Sequence, residues 1–105
     1  RYKHPEGYGF ILSRDKLGNT SMERFPNTIF NAIYSEMDNV IIAVGEKGII
    51  IISQDSGSTW RKIIHDPNTG LKDVVAVDSR TFIVVGDNGT IIGTTNGGKQ
   101  WSSLL

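Results

Sequence analysis

Short apolar runs alternate with polar, glycine-bearing breaks along most of this chain. From residue 29 they read IFNAIYS (29–35), VIIAVG (40–45), GIIIIS (48–53) and STWRKIIH (58–65), then LKDVVAVD (71–78), TFIVVG (81–86), TIIGTT (90–95) and KQWSSLL (99–105). Runs of this length, rich in Ile, Val and Thr and bounded by Gly, Asn and Asp, predict strands; helical periodicity is absent throughout. Asp87-Asn88-Gly89 between two such runs predicts a type I′ hairpin, because both Asn and Gly tolerate the positive φ that turn demands. The VVAV centre of 71–78 is apolar at consecutive positions, the reading of a strand covered on both faces. Pro67 cannot donate to a ladder and belongs in a linker over 65–70.

The runs repeat. Trp60 and Trp101 stand 41 residues apart, and Gly45, Gly48, Ser53, Asp55 and Gly57 map at the same spacing onto Gly86, Gly89, Thr94, Asn96 and Gly98. A period of about 40–45 residues with four strands per unit predicts β-propeller blades. Residues 9–25 read as a degraded copy with Ser13, Asp15 and Gly18 near the places of Ser53, Asp55 and Gly57, and Met22 near that of Trp. The expectation is therefore all-β: one propeller segment of four-stranded antiparallel blades, with a partial blade over 1–28, a blade over 29–66 and a blade over 67–105. About two and a half blades cannot close a ring, since four to eight are needed. The ring is then completed by other chains or by a missing part of this one. The first residue, Arg1 rather than Met, and the half-blade favour an excised piece; a homotrimer contributing two blades per chain is the alternative.

The segment Ser53-Gln-Asp55-Ser-Gly57-Ser-Thr59-Trp60 resembles the Asp-box, or BNR, repeat S-x-D-x-G-x-T-W. The second copy departs from it at Thr94, Asn96 and Gln100 and keeps Gly98 and Trp101. The flanking pattern is similar to the propeller repeats of photosystem II stability and assembly factors and of sialidase-like proteins. That resemblance implies a structural role for Ser53, Asp55, Gly57, Thr59, Trp60, Thr94, Asn96, Gly98 and Trp101. The residues agree with it on physical grounds. Asp55 can accept backbone N–H groups left unpaired by a turn, Asn96 can do so without charge, Gly57 relieves the backbone, and Trp60 offers an apolar plate between units.

Composition narrows function without naming it. The 105 residues carry 11 basic and 11 acidic side chains, so no electrostatic footprint points to nucleic acid or anionic membrane. No apolar run reaches the ~20 residues of a spanning helix. Without Cys there is neither a disulfide framework nor a thiolate metal site. His4 and His65 are more than a repeat apart, and Glu46, Asp73, Asp78 and Asp87 are spread over turns, so no metal site or cofactor is expected. Resemblance to sialidases would imply an arginine triad with Tyr and Glu. Arg1, Arg14, Arg24, Arg61 and Arg80 do not recur at equivalent points of the repeat, and Tyr34-Ser35-Glu36 is the nearest local combination. The chain is thus expected to be a non-catalytic scaffold binding a protein or glycan, with ligand-binding residues unassigned. The resemblance to phage-tail parts points to an extracellular or virion-associated setting. The alternative is a fragment of a sialidase-like hydrolase whose catalytic residues lie on other blades. Tyr2, His4, Tyr8 and Phe10 cluster near the N-terminus, and aromatic core accounts for them better than sugar stacking does.

Overall fold

The computed structural model describes residues 8–14, 20–26, 28–35 and 39–104, with side chains from Phe25 onward within these ranges except Pro26. It contains three antiparallel sheets in chain order. The first pairs β1 (Tyr8–Arg14) with β2 (Thr20–Pro26). The second is a meander of β3 (Phe30–Tyr34), β4 (Ile41–Gly45), β5 (Ile49–Ser53) and β6 (Arg61–Ile64), in that spatial order. The third repeats it with β7 (Leu71–Ala76), β8 (Phe82–Gly86), β9 (Thr90–Thr94) and β10 (Ser102–Ser103).

The 41-residue period holds down to backbone detail. Ile42 faces Ile52 across β4 and β5, and Ile83 faces Gly93 across β8 and β9. Both first strands carry a register shift, between Phe30 and Ala32 and between Leu71 and Asp73. The shift brings a carbonyl against the neighbouring strand's glycine: a Cβ on Gly45 would lie 1.9 Å from the Ile29 oxygen, and one on Gly86 would lie 2.6 Å from the Gly70 oxygen. The β8–β9 connection is the I′-type turn the sequence predicts, with Asn88 at φ 60°, Gly89 at φ 73° and the Thr90 N–H donating to the Asp87 oxygen. The β4–β5 turn has the same shape although Lys47 (φ 61°) stands where Asn88 does. Its backbone is pinned by the His65 N–H donating to the Gly48 oxygen at 2.9 Å.

Sheet two is sandwiched. Ile42, Val44, Ile50 and Ile52 interdigitate with Leu71, Val74, Phe82, Val84 and Ile92 of sheet three. On its other side Ile41, Ala43, Ile49 and Ile51 pack with Phe25, Phe30 and Trp60. Every position of β4 and β5 is therefore buried, which is why both strands read as unbroken apolar runs. Sheet three is covered on one side only. Val74 and Ala76 are buried, whereas Val75 and Val77 are exposed, so the two-sided cover expected of VVAV is half met. The fourth strands are shorter than their runs because 58–60 and 99–101 belong to the preceding turns.

Candidate interaction site

Three features set the chemistry of the surface. The first is the turn between the third and fourth strands. The buried Ser53 hydroxyl accepts from the Gly57 N–H (2.8 Å) and donates to Asp55 Oδ1 (2.8 Å). Asp55 in turn accepts from the Thr59 N–H (2.8 Å) and from the Thr59 hydroxyl. These Thr59 donors, and after them the Ser53 hydroxyl, hold the Asp55 carboxyl below the usual carboxylate range. The second copy reproduces the wiring without charge: Thr94 Oγ1 accepts from the Gly98 N–H (3.1 Å) and donates to Asn96 Oδ1 (2.8 Å), which accepts from the Gln100 N–H (3.0 Å). Gly57 and Gly98 sit at φ 92° and 91°, a conformation side chains resist. Trp60 Nε1 donates to the Gly57 oxygen (3.1 Å) and Trp101 Nε1 to the Gly98 oxygen (3.0 Å). All nine residues predicted from the turn motif thus lie in two matching networks that fold the turn back on its own Trp, with one bond reversed: the Thr59 hydroxyl donates to Asp55, whereas Asn96 Nδ2 donates to Gln100 Oε1 (3.5 Å).

The second feature is not legible in the sequence: a polar ladder across the junction of the two four-stranded sheets. Asn31 Nδ2 donates to Glu46 Oε2 (2.6 Å) and to the Leu71 oxygen (2.8 Å). Lys72, which is the repeat equivalent of Asn31, donates to the same Glu46 oxygen (2.9 Å) and lies 3.7 Å from Asp87 Oδ1. Glu46 is lowered chiefly by the Lys72 hydrogen bond and then by Asn31, and Lys72 is raised chiefly by Glu46. Asp87 Oδ2 also accepts from the Gly70 N–H at 3.2 Å. The matching spacings 31/72 and 46/87 are the only signal, but residue types differ at each pair, so a motif search passes over them. Among the described residues no three His, Asp or Glu side chains come together as a metal site would require.

The third feature is the uncovered side of sheet three. Val75, Val85 and Leu104 are 45%, 37% and 53% exposed there. Beside them lies a hollow of about 280 Å³ lined by Ile83, Gly93, Thr95, Gln100, Ser102 and Leu104, among others.

Stacked four-stranded meanders with this packing have a counterpart among solved structures. A structure described as YCF48 bound to a D1 peptide, a β-propeller, matches 80% of this chain with a TM-score of 0.67 and 24% identity. The present chain is a β-propeller segment. It spans about 29% of that neighbour's length. No family model and no curated relative matches the chain.

In blade terms, β3 and β7 begin the two blades and the ladder runs between those first strands. Tyr34 is partly buried and packs against the inter-blade core. Arg61 reaches across the junction and donates to the Gly97 oxygen, and Arg80 supplies its carbonyl to the Gly97 N–H (2.8 Å). Asp15, Gly18, Glu36, Arg1, Tyr2 and His4 lie outside the described residues, as do the side chains of Tyr8, Phe10, Ser13, Arg14, Met22 and Arg24.

Proposed function

We propose that this chain is a non-catalytic binding and assembly scaffold of the Asp-box propeller type, and that its partner is a protein. The observation that carries the reading is a division of labour. The polar groups of the repeated turns and of the ladder are spent on holding backbone and blade junctions, while the uncovered side of the last blade is aliphatic. Ser53, Asp55, Gly57, Thr59 and Trp60, with Thr94, Asn96, Gly98 and Trp101, are read as scaffold. A protein fits that side better than a glycan, because sugar rings are gripped by exposed aromatic faces. Trp101 and Phe82 turn toward the inter-blade core instead. The neighbour described as bound to a D1 peptide supports the same class of partner. Ring closure by further blades remains part of the proposal, since a blade buries both its faces only by stacking.

The test is a peptide-display selection against the chain, paired with a glycan array and a fluorogenic sialoside. Peptides whose binding is lost in Val85→Asp are expected, with no glycan bound and no sialoside turned over. Sialoside hydrolysis, or glycan binding with no peptide enriched, would overturn the reading.

A further inference from the structure

The chain contains two Asn-Gly steps, Asn88-Gly89 and Asn96-Gly97, and the fold treats them in opposite ways. Asn96 is held at each polar atom of its side chain. Its Oδ1 accepts from the Thr94 hydroxyl (2.8 Å) and from the Gln100 N–H (3.0 Å), and its Nδ2 donates to Gln100 Oε1 (3.5 Å). The glycine after it is buried, and its N–H donates to the Arg80 oxygen at 2.8 Å. Asn88 and Gly89 are both exposed, at the tip of the β8–β9 hairpin. Among the described residues no hydrogen bond ties the Asn88 side-chain amide, and a Cβ built on Gly89 would meet nothing within 4 Å. The β4–β5 tip has the same backbone but a different setting. There Lys47 stands in the place of Asn88, and the linker packs over Gly48, whose Cβ would lie 2.1 Å from the Asp66 oxygen.

We propose that Asn88 is a site of spontaneous covalent modification in the folded chain, converted with Gly89 through a succinimide to aspartate and isoaspartate, and that Asn96 is shielded from the same reaction. The Gly89 nitrogen loses its proton to water and adds to the Asn88 side-chain carbonyl carbon; with no Cβ on the glycine, that approach is unhindered. The bond from that carbon to Nδ2 breaks, and Nδ2 takes a proton from water and leaves as ammonia. Water then opens the ring at one carbonyl or the other. One opening keeps the original backbone and leaves an aspartate; the other routes the backbone through the side chain as isoaspartate. Water is the only co-reactant.

At ψ 33° the Gly89 nitrogen points away from the Asn88 side chain, so the tip must rotate before the ring can close. That rotation strains the turn bond from the Thr90 N–H to the Asp87 oxygen and meets no neighbour at Gly89. It belongs to the local openings that exposed tips make without global unfolding. At Asn96 the same rotation gives up the bonds to Thr94, Gln100 and Arg80 and moves a buried glycine. Two identical dipeptides are therefore separated by their surroundings alone. Aspartate tolerates the left-handed conformation that Asn88 holds at φ 60°, so that product keeps the turn. Isoaspartate lengthens the backbone by a methylene and loses it. Either product sets a new carboxylate beside Asp87, at the end of the ladder.

Peptide-mapping mass spectrometry tests this on the full chain, incubated at mildly alkaline pH in buffer and in urea above the unfolding midpoint. In buffer Asn88 is expected to convert at least about tenfold faster than Asn96, because the Asn96 turn opens only by giving up hydrogen bonds that the Asn88 tip lacks. In urea the two should convert at similar rates. Isoaspartate is read with a protein isoaspartyl methyltransferase and a labelled methyl donor, and its formation should shift the amide signals of Gly86 and Thr90, the pair that closes the hairpin. Asn88→Lys copies the β4–β5 tip, so it removes the site while keeping the turn, and should remove most of the methyl label gained in buffer. Asn88 converting in urea but not in buffer, Asn96 converting alongside it in buffer, or undiminished labelling of Asn88→Lys would each overturn the inference. So would a preference for Asn88 of the same size in urea, which would put its cause in the local sequence and not in the fold.

Discussion

Ser53→Ala isolates the role of the turn networks in a single atom. The hydroxyl is buried, and it supplies the Gly57 N–H with its acceptor at 2.8 Å. It also takes a longer 3.4 Å contact from the Asp55 N–H and donates to Asp55 Oδ1. Asp55 lies at the surface, so water replaces what it loses. The Gly57 amide is walled in, and a buried donor without a partner costs about 1–3 kcal/mol. The expected destabilisation is about 2 kcal/mol, which for a domain of this size lowers the melting temperature by roughly 10 °C. Ser53→Thr is the matched control, because Thr94 makes the same bonds at the equivalent place. It should stay within about 0.5 kcal/mol of the parent, the range of substitutions that disturb no such feature. Thermal and urea melts by circular dichroism read both. If Ser53→Ala melts with the parent, the hydroxyl is not the hub of the turn. If Ser53→Thr is as damaging as Ser53→Ala, packing volume rather than hydrogen bonding governs the site.

Other perturbations bear on the same physics. Asp55, Asp66 and Asp78 are each held below the ordinary carboxylate range, Asp55 first by Thr59, Asp66 by the Asn68 N–H and Asp78 by the Arg80 N–H. A depressed folded value stabilises above the unfolded value and is lost as pH falls through the folded one. The melting temperature should therefore hold from neutral pH down to about 4 and decline below it. Asp55→Asn, which copies Asn96, should remain folded at pH 7 and show a shallower decline in an acid titration followed by circular dichroism. Gly45→Ala should unfold the chain or displace β3, since its Cβ meets a backbone oxygen rather than a movable side chain. A native-like proton NMR spectrum for that variant would contradict the close approach described. Trp60 packs edge-on against Phe25 with ring centroids 5.8 Å apart. Trp60→Ala should loosen β1–β2 first, read as faster hydrogen exchange there than in β7–β10, and uniform exchange would argue that the two-stranded sheet is not held by this contact.

Much of the architecture is written in local patterns. The 41-residue spacing, the strand-length apolar runs and the Asn88-Gly89 turn suffice to infer stacked four-stranded sheets, because each depends only on neighbours in the chain. The Ser53–Asp55–Thr59 and Thr94–Asn96–Gln100 networks are likewise accessible, since their members lie within one turn. The ladder of Asn31, Glu46, Lys72 and Asp87 is not, because its partners sit 15 to 40 residues apart and share no residue type. Nor does the sequence distinguish a strand buried on two sides from one waiting for a neighbour. VIIAV over 40–44 and VVAV over 74–77 look alike, yet the first lies between two sheets and the second has one bare side. Burial belongs to the stack, not to the strand. By the same reasoning Gly93, Thr95 and Ser102 are ordinary small residues when the chain is read as a string. They become a hollow only where the third sheet's uncovered side meets solvent, because volume is conserved across an interface and not along a chain.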